Sequence, residues 1–311
     1  MLLASREIVV AAGTVNSPQL LMLSGIGPAE MLNHHDIRVV ADLPGVGANL
    51  QDHPTVSVAA SNPGAESYAL SWRAAPRVAA APLRYLFGRR GMLASNAAEA
   101  GGFLRSSPEL ERPDLQMTFM VGLKDNPRTL PRRHGFVLHV AVLRPATRGR
   151  LELASADPAA RPRMHPNFLQ DEGDLRALIC GLKEARRIIT MPALARYCGS
   201  ELSPGPAITT DADLEAFIRA NVATTYHPVG TCKMGPTRDP MAVVDSRLRV
   251  HGLTGLRVAD ASIMPNIIGG NTSAPSMMIG ERAADFILED NAGSGARVDR
   301  GTLSQSGAAY A

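Results

Sequence analysis

Aromatic residues are scarce, at 4% of 311 residues with a single Trp. So few rings leave no stacking platform for single-stranded nucleic acid. Charge of one sign is lacking too: 32 Lys and Arg face 29 Asp and Glu, a net charge of +3. The basic pairs Arg89-Arg90 and Arg132-Arg133 are isolated and read as solvated faces, so no nucleic-acid partner is expected. The three cysteines, Cys180, Cys198 and Cys232, form no CxxC pair and no even framework. That excludes a disulfide scaffold and points to a reducing compartment. Cys232 lies five residues past His227 but reads as a small buried residue. No apolar run reaches the length of a transmembrane helix. The opening Met1-Leu2-Leu3-Ala4-Ser5-Arg6-Glu7 has neither the basic nor the apolar region of a secretion signal. A cytoplasmic protein is the expectation, and the lack of an anchor is compatible with peripheral contact at the inner membrane. His34-His35 lacks acidic partners at ligand spacing and His251 sits in a turn, so no metal site is expected.

What is present fits a globular protein, with 45% apolar and 20% charged residues, enough for one large or two ordinary domains. Ile8 to Ala12 reads as a buried strand closed by Gly13, followed by a helix with Ser17 as N-cap and Pro18 at its first position. A strand, a glycine and a helix start together place backbone N–H groups beside an anion. Pro28 to Asn33 predicts a short helix and Ile37 to Asp42 a strand. Residues 62–113, rich in Ala, Pro and Gly, read as loops and short helices over a pocket. Leu115 to Val121, Phe136 to Leu143 and Arg150 to Leu153 predict strands. The clearest helix is Asp171 to Ile189, with Leu175, Leu178, Ile179, Leu182 and Ile189 on one face. Further helices are predicted over Asp211 to Asn221 and Ala274 to Leu288, the latter with Pro275 in its first turn, after a Leu256 to Val258 strand. From Asp290 onward the composition predicts disorder.

The chemistry gathers near the C-terminal end. Tyr226-His227-Pro228-Val229-Gly230-Thr231 holds a lone candidate base, and Gly269-Gly270-Asn271-Thr272 a polar residue framed by glycines that could share its pocket. Histidine suits proton removal from an alcohol because its pKa sits near working pH. Three further stretches are distinctive: Gly13 through Gly27 (GTVNSPQLLMLSGIG), Leu43 through His53 (LPGVGANLQDH), and Arg148-Gly149-Arg150-Leu151-Glu152-Leu153 with His165-Pro166-Asn167-Phe168.

Together these resemble the glucose-methanol-choline (GMC) flavoprotein oxidoreductases over roughly residues 6–55 and 145–288, nearest in motif to acceptor-linked alcohol dehydrogenases and choline dehydrogenases. The resemblance implies an α/β (α+β) chain: an incomplete, partly Rossmann-like FAD-binding domain and a substrate domain with an antiparallel sheet and flanking helices. The expected division is 1–57 in the FAD-binding domain, 58–215 in the substrate domain, 216–289 returning to the FAD-binding domain with the active-site residues, and 290–311 a tail. It implies FAD as cofactor, His227 as the base that faces flavin N5 across the substrate, and Asn271 as the hydrogen-bond donor to the substrate oxygen. Gly13, Pro228, Asp260, Ala261, Thr272 and Pro275 are the implied cofactor contacts, with the positive end of the last helix beside the flavin. His53 reads as structural. The partners implied are a small alcohol and an electron acceptor, quinone or oxygen.

The family's strand–GxGxxG–helix unit is not in this sequence, and Gly25-Ile26-Gly27 follows a helix and does not supply it. A truncated reading frame, a fragment of a longer chain and one subunit of a split enzyme all fit, and a missing N-terminal half is an expected partner. The expected reaction is oxidation of a primary alcohol to an aldehyde. The alternatives are choline oxidation, cyanohydrin cleavage of the hydroxynitrile lyase kind, and a non-catalytic remnant that holds no FAD alone.

Overall fold

Ile8–Val10 (β1) is β-branched throughout and forms a strand, parallel to Leu256–Val258 (β12) with Val9 opposite Arg257. The structure, a computed structural model, describes residues 4–123 and 132–293. One point of the sequence reading changes here: although β12 lies beside it, β1 is not buried, since Ile8 is 56% and Val9 41% exposed.

The helix that follows, Gly13–Leu23 (α1), begins at Gly13 instead of after Ser17, and Pro18 lies inside it. A proline there has no N–H for the carbonyl four residues back. The orphaned Thr14 carbonyl instead accepts the Thr231 hydroxyl at 2.6 Å, so a tertiary contact makes the interior proline tolerable. Ile26–Gly27 (β2) leads into Ala29–His34 (α2) and pairs in parallel with Ala41–Asp42 (β3). Only the last two residues of the expected Ile37–Asp42 strand are paired.

Next comes an antiparallel sheet. Pro54–Ser61 (β4) is a strand that the sequence reading passed over, although Val56, Val58 and Ala60 alternate cleanly and are buried. Residues 62–113, read as loops and short helices, hold the 14-residue helix Ala75–Gly88 (α3) and also a strand, Ala100–Leu104 (β5), which was not expected. Leu115–Met120 (β6) and Gly135–Val142 (β7) fall where predicted. Then come Arg150–Glu152 (β8), Arg163–His165 (β9), Glu172–Ile189 (α4), Pro192–Ala195 (α5), Glu201–Ser203 (β10), Asp211–Asn221 (α6) and Ala223–Thr224 (β11). The sheet runs β10-β4-β7-β6-β5, with β11 also on β4, while β8 and β9 pair separately.

α4 starts where its N-cap Asp171 accepts from the Gly173 N–H, and α6 where Thr210 and Asp213 form a capping box. Leu175, Leu178, Leu182 and Ile189 of α4 are buried, and each contributes about 1.5–3 kcal/mol by leaving water. Gly181 lets the helix lie close on the sheet, since a Cβ there would come within 2.4 Å of Val140. These residues join Val56, Val58, Leu138 and Val140 in one core, while a second core gathers Leu21, Met22, Leu151, Val229, Val243, Val258 and Ile263.

The last helix, Ser273–Gly293 (α7), outruns its predicted end at Leu288. Its extra turn is held by charge: Asp290 accepts from Arg247, Arg249 and Arg257, which together hold its carboxyl well below the usual range. Residues 294–311, where disorder was expected, lie outside the described residues. Arg257 is buried in β12 and also binds Glu7 and the Arg247 carbonyl. Arg257→Met should therefore lower stability, because Glu7 loses its partner, Asp290 loses one of three and the Arg247 carbonyl loses its donor. A urea midpoint unchanged by that substitution would refute this role.

Candidate active site

Two loops run side by side to make the site. Gln51 exchanges backbone hydrogen bonds with Val229, at 3.0 and 2.9 Å, and the Gly47 N–H donates to the Thr231 carbonyl at 2.8 Å. Gly47 has φ +83° and a Cβ there would meet the Leu151 carbonyl at 2.3 Å, so the approach demands glycine. This pairing carries Asp52 and His53 beside His227. The Gln51 side chain then reaches a third segment, donating to the Pro265 carbonyl at 3.1 Å and accepting from the Ile267 N–H at 3.1 Å. That fixes the approach to Asn271.

Asp52 is buried and gathers the whole turn. It accepts from the backbone N–H of His53 at 2.7 Å and of His227 at 3.0 Å, and from the Thr224 hydroxyl. Tyr226, just before His227, sits at φ +63°, a conformation a non-glycine residue holds only when its surroundings impose it. Its N–H donates to the Thr224 hydroxyl at 2.7 Å, which is part of that imposition.

The half-buried His227 imidazole is contacted on both nitrogens. Nδ1 lies 3.1 Å from His53 Nδ1 and 3.1 Å from the Thr225 hydroxyl. Nε2 lies 3.5 Å from Asn271 Nδ2, a long contact of the kind that tightens once a reacting group sits in it. Asn271 in turn accepts from Gln116 Nε2 at 3.2 Å. The structure thus brings His227 and Asn271 together, as the sequence pattern suggested. It adds three residues that reading did not place here: Asp52, Gln116 of β6, and His53, which was read as structural only.

Burial lowers the His227 pKa from its ordinary value, and the Asp52 carboxylate acts in the opposite sense. With its pKa lowered from an ordinary value of about 6.5, the ring is mainly neutral at neutral pH. Burial lifts the Asp52 carboxyl above its ordinary value, with the Thr224 hydroxyl and two backbone N–H groups opposing. His53 is fully buried, and burial pulls it down to about 4, against the favourable backbone of Ile268. A depressed histidine takes no proton in the folded state until well below the value of about 6.5 at which the unfolded chain protonates. Unfolding then takes up a proton, so stability is full above pH ~6.5 and falls by roughly 3 kcal/mol as pH drops toward ~4. His53→Gln should flatten that part of the stability–pH curve, and an unchanged slope would refute the assignment.

Of the residues implied as cofactor contacts, Gly13, Asp260 and Ala261 lie just past the C-terminal ends of β1 and β12, where ligands of open parallel sheets bind. Gly13 N–H donates to Asp260 Oδ2 at 3.0 Å, and Asp260 Oδ1 accepts from Ser262 N–H at 2.8 Å. Asp260 itself is thus the anion at the start of α1. Pro228 accepts from the Thr14 hydroxyl at 2.7 Å and Ala261 from the Gly230 N–H at 3.3 Å, so one short segment bridges His227 and this cluster. Thr272 is buried and its carbonyl accepts twice from Ser276, opening α7, with Pro275 in the first turn. A Cβ at Gly13 or Gly270 would meet no atom within 4 Å, so the space beside both is open. Among the described residues no three His, Cys, Asp or Glu side chains converge as a metal site, and no helix is long and apolar enough to cross a membrane. Cys232 is fully buried and its thiol pKa is pushed up by that burial, which makes it a packing residue.

Two family models described as GMC oxidoreductase match the chain, one over residues 1–55 and the other over residues 145–280. An "alcohol dehydrogenase [acceptor]" of Pseudomonas putida is 46% identical over 285 residues, covering 91% of this chain and 51% of that protein. An "oxygen-dependent choline dehydrogenase" of Klebsiella pneumoniae subsp. pneumoniae is 45% identical over 287 residues, with the same two shares. Among solved structures, pyridoxine 4-oxidase from Mesorbium loti superposes with a TM-score of 0.76 at 28% identity, covering 91% of this chain and 51% of its own. An FAD-modification variant of Aspergillus oryzae formate oxidase gives 0.81 at 27% identity, covering 93% and 55%. The chain spans about half the length of the relatives it matches.

Proposed function

The chain belongs to the GMC oxidoreductase family, and we propose that it carries the proton-handling side of an FAD-dependent oxidation of a primary alcohol to an aldehyde. The observation that carries this reading is the facing pair, His227 Nε2 and Asn271 Nδ2 at 3.5 Å, each held from behind by a buried or sheet-borne partner. A hydroxyl between them could donate its proton to Nε2 and accept from the Asn271 amide.

The residues present fit a flavin. Open backbone lies at Gly13 and Gly270, and the unpaired N–H groups that open a helix lie at the start of α7. Tyr226, Ile268, Met277 and Met278 expose apolar surface around His227 and the start of α7, as a flat ring with a polar edge needs. When bound, FAD supplies the acceptor for the hydride that leaves the alcohol carbon. The rest falls to this chain. His227 takes the hydroxyl proton, which leaves negative charge on the substrate oxygen, and that charge is drawn into the new carbonyl bond as the hydride departs. Asn271 donates to that oxygen, and a donor already in place spends nothing on reorganisation. Gly13, Pro228, Asp260, Ala261, Thr272 and Pro275 form the cofactor side. Residues 58–215 face it from the substrate side through Gln116, with 1–57 and 216–289 as the cofactor-binding portion.

Two electrons leave the alcohol, so a reoxidant is required, a quinone or oxygen. The Pseudomonas relative is named for an acceptor and the Klebsiella relative for oxygen. Choline is itself a primary alcohol, and the chain matches both relatives almost equally, so the substrate class is primary alcohols with choline within it. Oxidation is favoured over cyanohydrin cleavage because both relatives are named as dehydrogenases. The test is an anaerobic titration of the FAD-loaded protein with primary alcohols and choline. Bleaching of the oxidised flavin bands is expected. Bound flavin that no alcohol bleaches would overturn the reaction, and failure to hold FAD would favour the remnant that binds none alone.

A further inference from the structure

We infer that the hydrogen bonds around His227 all run in one direction and lock its imidazole with the proton on Nδ1 and a bare Nε2, with His53 as the positioning residue. This rests on His227 being the base proposed above, but the lock itself is a property of the chain.

Each link has a forced sense. His53 Nε2 lies 3.0 Å from the Ile268 carbonyl, and a carbonyl only accepts, so Nε2 of His53 carries hydrogen. His53 is fully buried and held neutral, and a neutral imidazole has one N–H. Its Nδ1 is therefore a lone pair. That lone pair lies 3.1 Å from His227 Nδ1. Two lone pairs would repel at this distance, so His227 Nδ1 must be the donor.

The neighbours agree. The Thr225 hydroxyl fits this sense: with its hydrogen on the His53 carbonyl at 3.3 Å or on Asp52 Oδ1 at 3.5 Å, its oxygen is free to accept at 3.1 Å from His227 Nδ1. On the far side, the Gln116 amide N–H donates to Asn271 Oδ1 at 3.2 Å, which turns the Asn271 N–H toward His227 Nε2. The chain then reads Gln116 to Asn271 to His227 to His53 to Ile268, with every group donating forward. Which nitrogen of a histidine is protonated is set by the bond its other nitrogen makes. Here both nitrogens give the same answer, and the bare one faces the reaction space.

The charged and titratable groups that face this pair are few. The Asp52 carboxylate favours a proton on His227. Arg144 and His227 both disfavour one on His53, and the backbone of Leu143 joins Ile268 in favouring it. None of these reverses a link, because none accepts from His227 Nε2.

The experiment is long-range proton–nitrogen NMR on the full chain labelled with ¹⁵N-histidine, without added ligand, at a pH where the histidines are neutral. His227 is assigned by the signals lost in His227→Gln. The expected pattern has a protonated Nδ1 and bare Nε2 on His227, and the opposite on His53. His53→Leu removes the acceptor and should move the His227 nitrogens toward the averaged shifts of exchanging tautomers. His53→Asn returns an acceptor oxygen at that place and should restore the pattern. A proton on His227 Nε2 in the unaltered chain would overturn the inference, and so would a pattern that His53→Leu leaves unmoved. Should His53→Leu not fold, the unaltered chain and His53→Asn still decide. In the FAD-loaded enzyme, His53→Leu should slow alcohol oxidation by roughly 10- to 100-fold, through kcat more than KM, with partial rescue by Asn. If the NMR pattern holds while turnover is indifferent to His227→Gln, the lock stands and the base assignment falls.

Discussion

His227→Gln should slow oxidation of a primary alcohol by about 10²- to 10⁴-fold while leaving the fold in place, the range a positioned general base contributes. Glutamine is chosen because it fills most of the imidazole volume. The backbone N–H of residue 227 would still reach Asp52, as it does now at 3.0 Å, so the loop should keep its path. What is lost is a base near neutral pH with its lone pair turned toward Asn271. The check is kcat/KM on the FAD-loaded protein, alongside the urea midpoint and flavin content. A variant that folds, holds flavin and turns over at the original rate would remove His227 from the chemistry.

Asp52→Ala should cost roughly 3 kcal/mol or more, because it strands two buried backbone N–H groups and a hydroxyl that all donate to one carboxylate. It should also slow turnover, since the His227 backbone loses its anchor. Asp52→Asn separates shape from charge. Its amide oxygen can still accept from both N–H groups, and its NH₂ can donate to Thr224. Burial raises the Asp52 pKa, so ionising this side chain opposes folding. The sign follows: its native form is favoured where it is protonated, and that advantage is lost as pH rises through its raised pKa. The neutral asparagine should therefore match or exceed the parent in stability at neutral pH. The same change withdraws the carboxylate that favours protonated His227, so the acid limb of kcat/KM should move to lower pH. Equal stability loss for Ala and Asn, or an unmoved limb, would show that Asp52 does not act in these two ways.

Much of the fold could be read from local signals. α4 and α6 carry their own caps and a clear apolar face, and both fall within a residue of their expected ends. The facing of His227 and Asn271 followed from a motif. What escaped the reading depends on contacts between distant residues. α1 keeps an interior proline only because Thr231 satisfies Thr14 across 217 residues of sequence. β4 had the alternation of a strand, but Pro54, Ala59 and Ala60 gave it weak β propensity. The full length of α3 was hidden by Pro82 in its middle. His53 and Gln116 are separated in sequence from the residues they orient by 174 and 155 positions, and nothing in their own neighbourhoods names those partners. Asp290 extends α7 for the same kind of reason, since three arginines from another segment neutralise it.

The most direct measurement of the account is the pH dependence of flavin reduction by a primary alcohol, followed anaerobically in the FAD-loaded protein with and without His227→Gln. The unaltered protein should lose rate only as pH falls below the ordinary histidine value of about 6.5, because burial holds the His227 pKa lower. In the variant that limb should vanish together with most of the rate. A limb that persists unchanged in His227→Gln would mean that another group takes the proton, and the assignment of His227 would be wrong.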